Sequence, residues 1–311
     1  MPKITKLFFK DKSVKTAIFT IFILVIFVSC GSKKDVLVKQ QIEPKEPKEL
    51  QIFKEAYPDI LFEAKYDEQK QDWCVRIING EQKTDLFFAQ SRFLPKEDLN
   101  LKYYKLLYDY PKEIPNPADF SQEYIKEIKS LSAPENRIKS YSFPKFFYDA
   151  VYDCASQAAV QKHIVRINFL GKNISIHERI KPALLRVQKR IYEVAKTDAQ
   201  VKSFVDTLLH MYGYYWRIIS DSKKRSFHSV GIAIDILPKG YEHKNIYWVW
   251  QRKKDPQNWM LLPLQKRWIP PLAVINIFEE EGFIWGGKWE LWDNMHFEYH
   301  PELILYRKSQ F

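Results

Sequence analysis

Apolar residues change their spacing along this chain near position 175, and the change separates two parts of different character. From Gln51 to Ser156 they alternate with polar residues in short bursts, as in Trp73-Cys74-Val75-Arg76-Ile77-Ile78, a run that ends at Asn79-Gly80. A period of two predicts strands, and Asn-Gly closing such a run predicts a hairpin turn. Beyond Ser175, the residues Ile180, Leu184, Val187, Ile191 and Val194 recur at intervals of four and three, which places one apolar stripe on a long helix. A second helix is predicted from Asp198 to about Leu209, followed by a strand over Tyr214-Tyr215-Trp216-Arg217-Ile218-Ile219. Pro270-Pro271-Leu272 through Glu281-Gly282, with proline at the start and glycine at the end, predicts a short helix. Ile232, Ile234 and Ile236 alternate with Ala233, Asp235 and Leu237, so on a strand Asp235 faces away from the isoleucine row. By the same rule His296 and Glu298 share the face opposite Phe297 and Tyr299. The class these elements predict is α+β: a small antiparallel sheet flanked by helices over residues 157–311, preceded by a smaller region with strands over 51–156.

Composition supports a folded chain. Hydrophobic residues make up 46% and aromatics 15% of the 311 residues, ample for a core, so the 28% that are charged belong to the surface and disorder is excluded as the general state. The segment Tyr247-Trp248-Val249-Trp250 to Trp268 is rich in Trp, Lys and Arg. It is either a lid that contacts substrate or a loop whose aromatics complete the core.

The first residues are a targeting segment. Lys3, Lys6, Lys10, Lys12 and Lys15 precede an uncharged run from Thr16 to Ser29, which is shorter than the roughly 20 residues a membrane span needs. The pattern resembles a bacterial lipoprotein signal over residues 1–29, with Cys30 as the lipid-bearing first residue of the mature chain; the alternative is an uncleaved anchor. Both readings put the remainder in the cell envelope, outside the cytoplasmic membrane. Residues 30–50 are polar and without period, as suits a flexible tether. Five Lys and one Asp precede Cys30, so +4 of the chain's +11 leaves with the signal and about +7 remains. That charge suits an anionic envelope as well as it suits an ordinary solvated surface. The lysines are scattered rather than striped, and nucleic acid is not an expected partner. With Cys30 committed to lipid, Cys74 and Cys154 are left, and in an oxidising compartment they are expected to form one disulfide, the alternative being two separately buried thiols.

The candidate chemistry lies in two short motifs. Ser226-Phe227-His228-Ser229-Val230-Gly231-Ile232-Ala233-Ile234-Asp235 is followed later by Asp293-Asn294-Met295-His296-Phe297-Glu298. Two imidazoles and one carboxylate suffice to hold one zinc ion with a fourth position open to water, and a further carboxylate beside it serves to deprotonate that water. Fully extended, the chain from His228 to Asp235 spans roughly 23 Å, too far for two ligands of one ion, so it must turn back between them. Gly231 tolerates either sign of φ and is well placed for that turn. Glu298, on the face of His296, is a candidate partner that orients a ligand. His163, His177, His210, His243 and His300 lack such a setting and are expected to be non-ligands, His300 being the nearest rival.

Written as Ser226-x-His228-x-x-Gly231-x-Ala233-x-Asp235 and Asp293-x-x-His296-Phe297-Glu298, these motifs resemble the D-alanyl-D-alanine carboxypeptidase family of zinc peptidases, over roughly the last 150 residues. Gly282-Phe283-Ile284-Trp285-Gly286-Gly287-Lys288-Trp289 is similar to the segment preceding the final ligand in the branch containing L-alanyl-D-glutamate endopeptidases. The resemblance implies that His228, Asp235 and His296 ligate one zinc ion per chain and that Asp293 is the general base. It further implies that Arg217 steadies the oxyanion, that Ser226 contacts substrate, and that peptidoglycan stem peptides are the partner. Asp293 stands where the dipeptidase and carboxypeptidase branches usually have Glu, which favours the endopeptidase-like branch. The expected function is therefore cleavage of stem peptides at a D-Ala-D-Ala or an L-Ala-D-Glu bond. The alternative is a cell-wall-binding lipoprotein that keeps the fold without turnover.

Overall fold

A computed structural model describes residues 44–138, 143–220 and 222–310. The signal over 1–29, Cys30 and the tether as far as residue 43 lie outside the described residues.

Helix α1 (Lys48–Ala56) buries Leu50, Phe53 and Ala56 at three-residue spacing. It leads into β1 (Leu61–Asp67), β2 (Asp72–Asn79) and β3 (Gln82–Phe87), a three-stranded antiparallel sheet in that order. The predicted Asn-Gly hairpin joins β2 to β3, with Gly80 at φ +60°. Then come α2 (Gln122–Ser132), α3 (Pro134–Arg137), α4 (Phe147–Tyr152) and α5 (Gln157–Gln161), followed by the hairpin of β4 (Ile164–Phe169) and β5 (Lys172–His177). Helix α6 (Lys181–Ala195) buries Ala183, Leu184, Val187 and Ile191, the stripe its spacing predicts. In α7 (Ala199–Asp206) the Asp198 carboxylate accepts from the backbone N–H groups of Gln200 and Val201, a cap that fixes the start of the helix.

The site rests on a second sheet. Strands β6 (Leu208–Tyr212) and β7 (Ala233–Pro238) are followed by α8 (Trp248–Lys254), α9 (Leu272–Glu280), β8 (Phe283–Trp285), β9 (His296–Tyr299) and α10 (Pro301–Ser309). The sheet order is β6-β7-β9-β8, antiparallel throughout, so β7 and β9 are its central pair. The described fold is thus α+β, with small antiparallel sheets and helices.

Two expectations are corrected. The strand expected over 214–219 lies earlier, at Leu208–Tyr212. The chain leaves β6 at Gly213, where a Cβ would stand 2.2 Å from the Ser175 carbonyl oxygen, and Tyr214 N–H donates to that carbonyl of β5 at 2.6 Å. Residues 214–219 instead run alongside the first motif, with Tyr215 N–H donating to the His228 carbonyl at 3.1 Å and Ile218 bridging Arg225. Nor do Cys74 and Cys154 form a disulfide. Cys74 sits mid-strand in β2 between Lys65 and Phe87, whereas Cys154 is buried after α4, its thiol donating to the Tyr148 carbonyl at 3.3 Å.

One core runs through residues on both sides of position 156: Phe53, Phe93, Phe147 and Val151 belong to the same buried cluster as Phe169, Leu184, Ile234 and Phe278. A second core joins Ile125 and Ile128 of α2 to Trp248, Trp259, Met260 and Trp292. The tryptophans at 248 and 259 are therefore packing residues of a loop, not the exposed face of a lid. No helix among the described residues is long and apolar enough to cross a membrane.

Candidate metal centre

Each of the three expected ligands is delivered by a different local device. Asp235 and His296 are set by register, because they are directly opposed partners in β7 and β9 and so project from the same face of the sheet. His228 comes from a single 3-10 turn, Phe227–Ser229, whose start is capped by the Ser226 hydroxyl accepting from the His228 N–H at 3.2 Å. Between His228 and Asp235 the chain reverses at Gly231, with φ +79°. The turn is clamped against β5, since His177 N–H donates to the Gly231 carbonyl at 2.8 Å.

These devices bring one donor atom each from His228, Asp235 and His296 within 4.8 Å of one another. His228 Nδ1 lies 2.7 Å from the Gly213 carbonyl, an acceptor that takes the Nδ1 proton and turns Nε2 towards the cluster. Nε2 is buried and 3.2 Å from Asp235 Oδ2, yet it lacks the geometry of a hydrogen bond and has no partner. A buried, unpartnered ring nitrogen facing a carboxylate fits a cation held between them. His296 holds Asp235 Oδ1 at 2.8 Å through Nδ1 and Glu298 Oε1 at 2.8 Å through Nε2. Glu298 thus fixes the ring from behind while Nδ1 faces the cluster. A set of two imidazoles and one carboxylate, with both rings held from outside, fits zinc.

Within the cluster itself the charges compensate one another. Burial works against ionisation of Asp235, but the neighbouring His228 and His296 outweigh it and hold the carboxyl well below its usual range. Burial also works against the imidazolium of His296, and hydrogen bonds to Asp235 and Glu298 overcome it, raising the ring well above the ordinary histidine value. In Glu298 burial is outweighed by hydrogen bonds from His296 and His300, and its pKa falls to about 2. Asp293 behaves in the opposite way. Burial, with a smaller contribution from Asp235 set against the nearby His296, pushes it up to about 7, and its buried Oδ1 has no partner. A carboxylate that takes up a proton near neutrality and keeps one oxygen unpaired is suited to general acid-base work.

Backbone contacts hold Asp293 in place: its N–H donates to the Gly286 carbonyl at 2.9 Å, its carbonyl accepts from His296 N–H at 3.2 Å, and it bridges Tyr247. Gly286 is required there, because a Cβ would meet the Asp293 carbonyl oxygen at 2.7 Å. Arg217 is not among the clustered donors. Its backbone is tied to the first motif through Ser229 Oγ, 2.9 Å from both its N and its O, but its side chain is exposed.

Residues 220–299 match a family model described as D-alanyl-D-alanine carboxypeptidase. The matched segment holds Ser226, His228, Asp235, Asp293, His296 and Glu298, and so is similar to that peptidase family across the whole donor set. Residues 49–104 match a second family model, described as a domain of unknown function. No curated protein and no solved structure matches the chain.

Behind the matched segment lies an array the motifs do not include. Glu298 Oε2 accepts from His300 Nε2 at 3.0 Å, and His300 Nδ1 reaches Glu302 Oε1 at 2.8 Å. His300 is thereby a buried partner of two carboxylates. A sequence signal was present in the strict alternation His296-x-Glu298-x-His300-x-Glu302, acids and imidazoles at every second position. The Gly213 carbonyl that fixes His228 left no such signal.

Proposed function

We propose that this protein is a zinc-dependent peptidase that trims the stem peptides of peptidoglycan, held at the cell envelope by a lipid on Cys30. The observation that carries the reading is the convergence of His228, Asp235 and His296 donor atoms within 4.8 Å, with His228 Nε2 buried and unpartnered, inside the segment similar to a carboxypeptidase family. A bound zinc ion supplies Lewis acidity that acidifies water and polarises a peptide carbonyl.

The chain's own residues supply the rest. Asp293, with a pKa raised to about 7, takes a proton from the attacking water and returns it to the leaving amine. Glu298 keeps the His296 ring oriented, and the Gly213 carbonyl does the same for His228. Arg217, exposed beside the first motif, is free to swing onto the developing oxyanion, a stabilisation typically worth about 3 to 4 kcal/mol. Ser226 is already engaged with the His228 N–H and contacts substrate through what remains of its hydrogen-bonding capacity. The shorter Asp293 in place of Glu favours the endopeptidase-like branch; the bond cleaved is L-Ala-D-Glu or terminal D-Ala-D-Ala.

Digestion of purified muropeptides by the full-length protein, read by mass spectrometry, tests the reading directly, because loss of D-Ala and release at L-Ala-D-Glu leave products of different mass. Metal analysis of the same protein is expected to find about one zinc per chain, lost in His228→Ala. Zinc binding without any cleavage would instead support a wall-binding lipoprotein. An absence of transition metal in the wild type would remove the proposal.

A further inference from the structure

The array behind Glu298 does not stop within the residues that match the peptidase family. It continues into the N-terminal region, whose role the motifs leave open. Glu302, in the first turn of α10, is fully buried and accepts on both oxygens: from the Tyr57 hydroxyl at 2.7 Å on Oε2 and from the Tyr148 hydroxyl at 3.1 Å on Oε1. Tyr148 Oη also lies 3.1 Å from His300 Nδ1. Tyr57 follows α1, within the stretch similar to a domain of unknown function, and Tyr148 lies on α4. Both are buried to within 1%.

The His300 ring is gripped as well as hydrogen-bonded. Phe227, the neighbour of His228, meets it edge-on at 4.7 Å between centroids, and Tyr148 meets it from a second direction at 5.6 Å. Between Glu298 and Glu302 the ring has a carboxylate on each nitrogen, so both nitrogens donate. The result is one continuous buried chain: His296, Glu298, His300, Glu302, then two tyrosine hydroxyls. A fully connected buried network of this kind has a single arrangement, because breaking any link strands a charge away from water.

We infer that the N-terminal region completes the metal centre, with Tyr57 and Tyr148 acting as positioning residues that fix Glu302 and His300 and, through Glu298, the ring of His296. This rests on the zinc reading above. It explains why an apolar core should be shared across position 156 at all: the two hydroxyls reach Glu302 only if α1 and α4 are packed onto α10 and β9. Carboxylates that orient a ligating histidine typically contribute about 10- to 100-fold to metal affinity, and the tyrosines stand two links further out.

The test uses the full-length protein and its zinc dissociation constant, measured by competition with a chromophoric chelator. Tyr57→Phe with Tyr148→Phe keeps both rings and deletes only the hydroxyls, and is expected to weaken zinc binding about 10-fold, with each single variant falling between it and the wild type. Turnover should fall through kcat, with KM little changed, because no substrate contact is removed. Tyr104→Phe is the control. That hydroxyl, equally buried, donates to the Lys145 carbonyl at 2.8 Å and belongs to no link of the chain, so its loss should lower stability and leave zinc affinity alone. If the double variant does not fold, the single variants carry the test, since each leaves one hydroxyl on Glu302. Zinc affinity equal to wild type in folded tyrosine variants overturns the inference while leaving the peptidase reading intact; a wild type that binds no zinc overturns the peptidase reading itself.

Discussion

Replacing Gly231 by alanine probes the turn on which the whole donor set depends. The residue sits at φ +79°, in the left-handed region, and a Cβ built there would stand 2.7 Å from His177 N and 2.8 Å from Ile164 Cδ1. Two costs therefore add. Left-handed backbone costs a residue bearing Cβ about 1 to 2 kcal/mol. Overpacking by one methyl against backbone that cannot yield costs about 1 to 3 kcal/mol more. The sum, about 2 to 5 kcal/mol, is a large part of the stability of an ordinary domain. Gly80→Ala supplies the comparison, for Gly80 has φ +60° but open space where its Cβ would lie, so only the backbone cost applies. Urea unfolding of the two full-length variants, followed by circular dichroism, separates the contributions. Gly231→Ala should also bind zinc more weakly, because relief of the clash moves the turn that joins His228 to Asp235. If Gly231→Ala proves no more destabilising than Gly80→Ala, the clamp of this turn against β5 does not exist as described.

Asp293→Asn should keep its zinc while muropeptide cleavage falls by about 10²- to 10⁴-fold, and unchanged turnover would remove Asp293 from acid-base work. His177 is buried and neutral, its Nε2 donating to the Tyr152 carbonyl at 3.0 Å and its Nδ1 accepting from Arg179 N–H at 3.1 Å, and burial lowers its pKa from 6.5 to about 4. The unfolded chain binds this proton more readily, so the stabilisation is complete above pH 6.5 and is lost as pH falls towards 4. The loss is at most about 3 kcal/mol; thermal melts of His177→Gln should show a flatter dependence across that window. Glu279 holds Lys288 at 2.5 Å and Arg307 at 3.1 Å, nearly out of solvent, so Glu279→Ala strands the lysine and should cost about 3 to 5 kcal/mol in urea unfolding.

Elements with a strong period were legible in the sequence, and so was the donor set, for a common reason. The stripe on α6 and the alternation through Asp235 and through His296 are one-dimensional patterns that burial on one face imposes on the chain. The strand misplaced at 214–219 shows where this fails. Its tyrosines and isoleucines have high strand propensity, but the Ser175 carbonyl approaches Gly213 from β5, a contact that no local pattern encodes. Arg217 was expected within that strand and is instead in a run outside the sheet, its backbone held by Ser229. The tyrosines on Glu302 were invisible for the same reason, since Tyr57 and Glu302 meet across 245 residues of sequence. Cys74 and Cys154 illustrate the converse error, in which a rule about compartments supplied a pairing that the packing of β2 and α4 does not make.

The opposed pair Asp235 and His296 has one more consequence. Side chains on adjacent strands swap faces when pairing slips by a single residue, so a chain that zippers β7 to β9 one position out would direct the carboxylate and the imidazole to opposite sides of the sheet. Such a molecule would keep strands in these places, yet it would lack the paired donors a metal needs. On the zinc reading proposed above, metal stoichiometry is therefore also a gauge of folding fidelity, one that reports mis-zippered molecules to which bulk spectroscopy is blind.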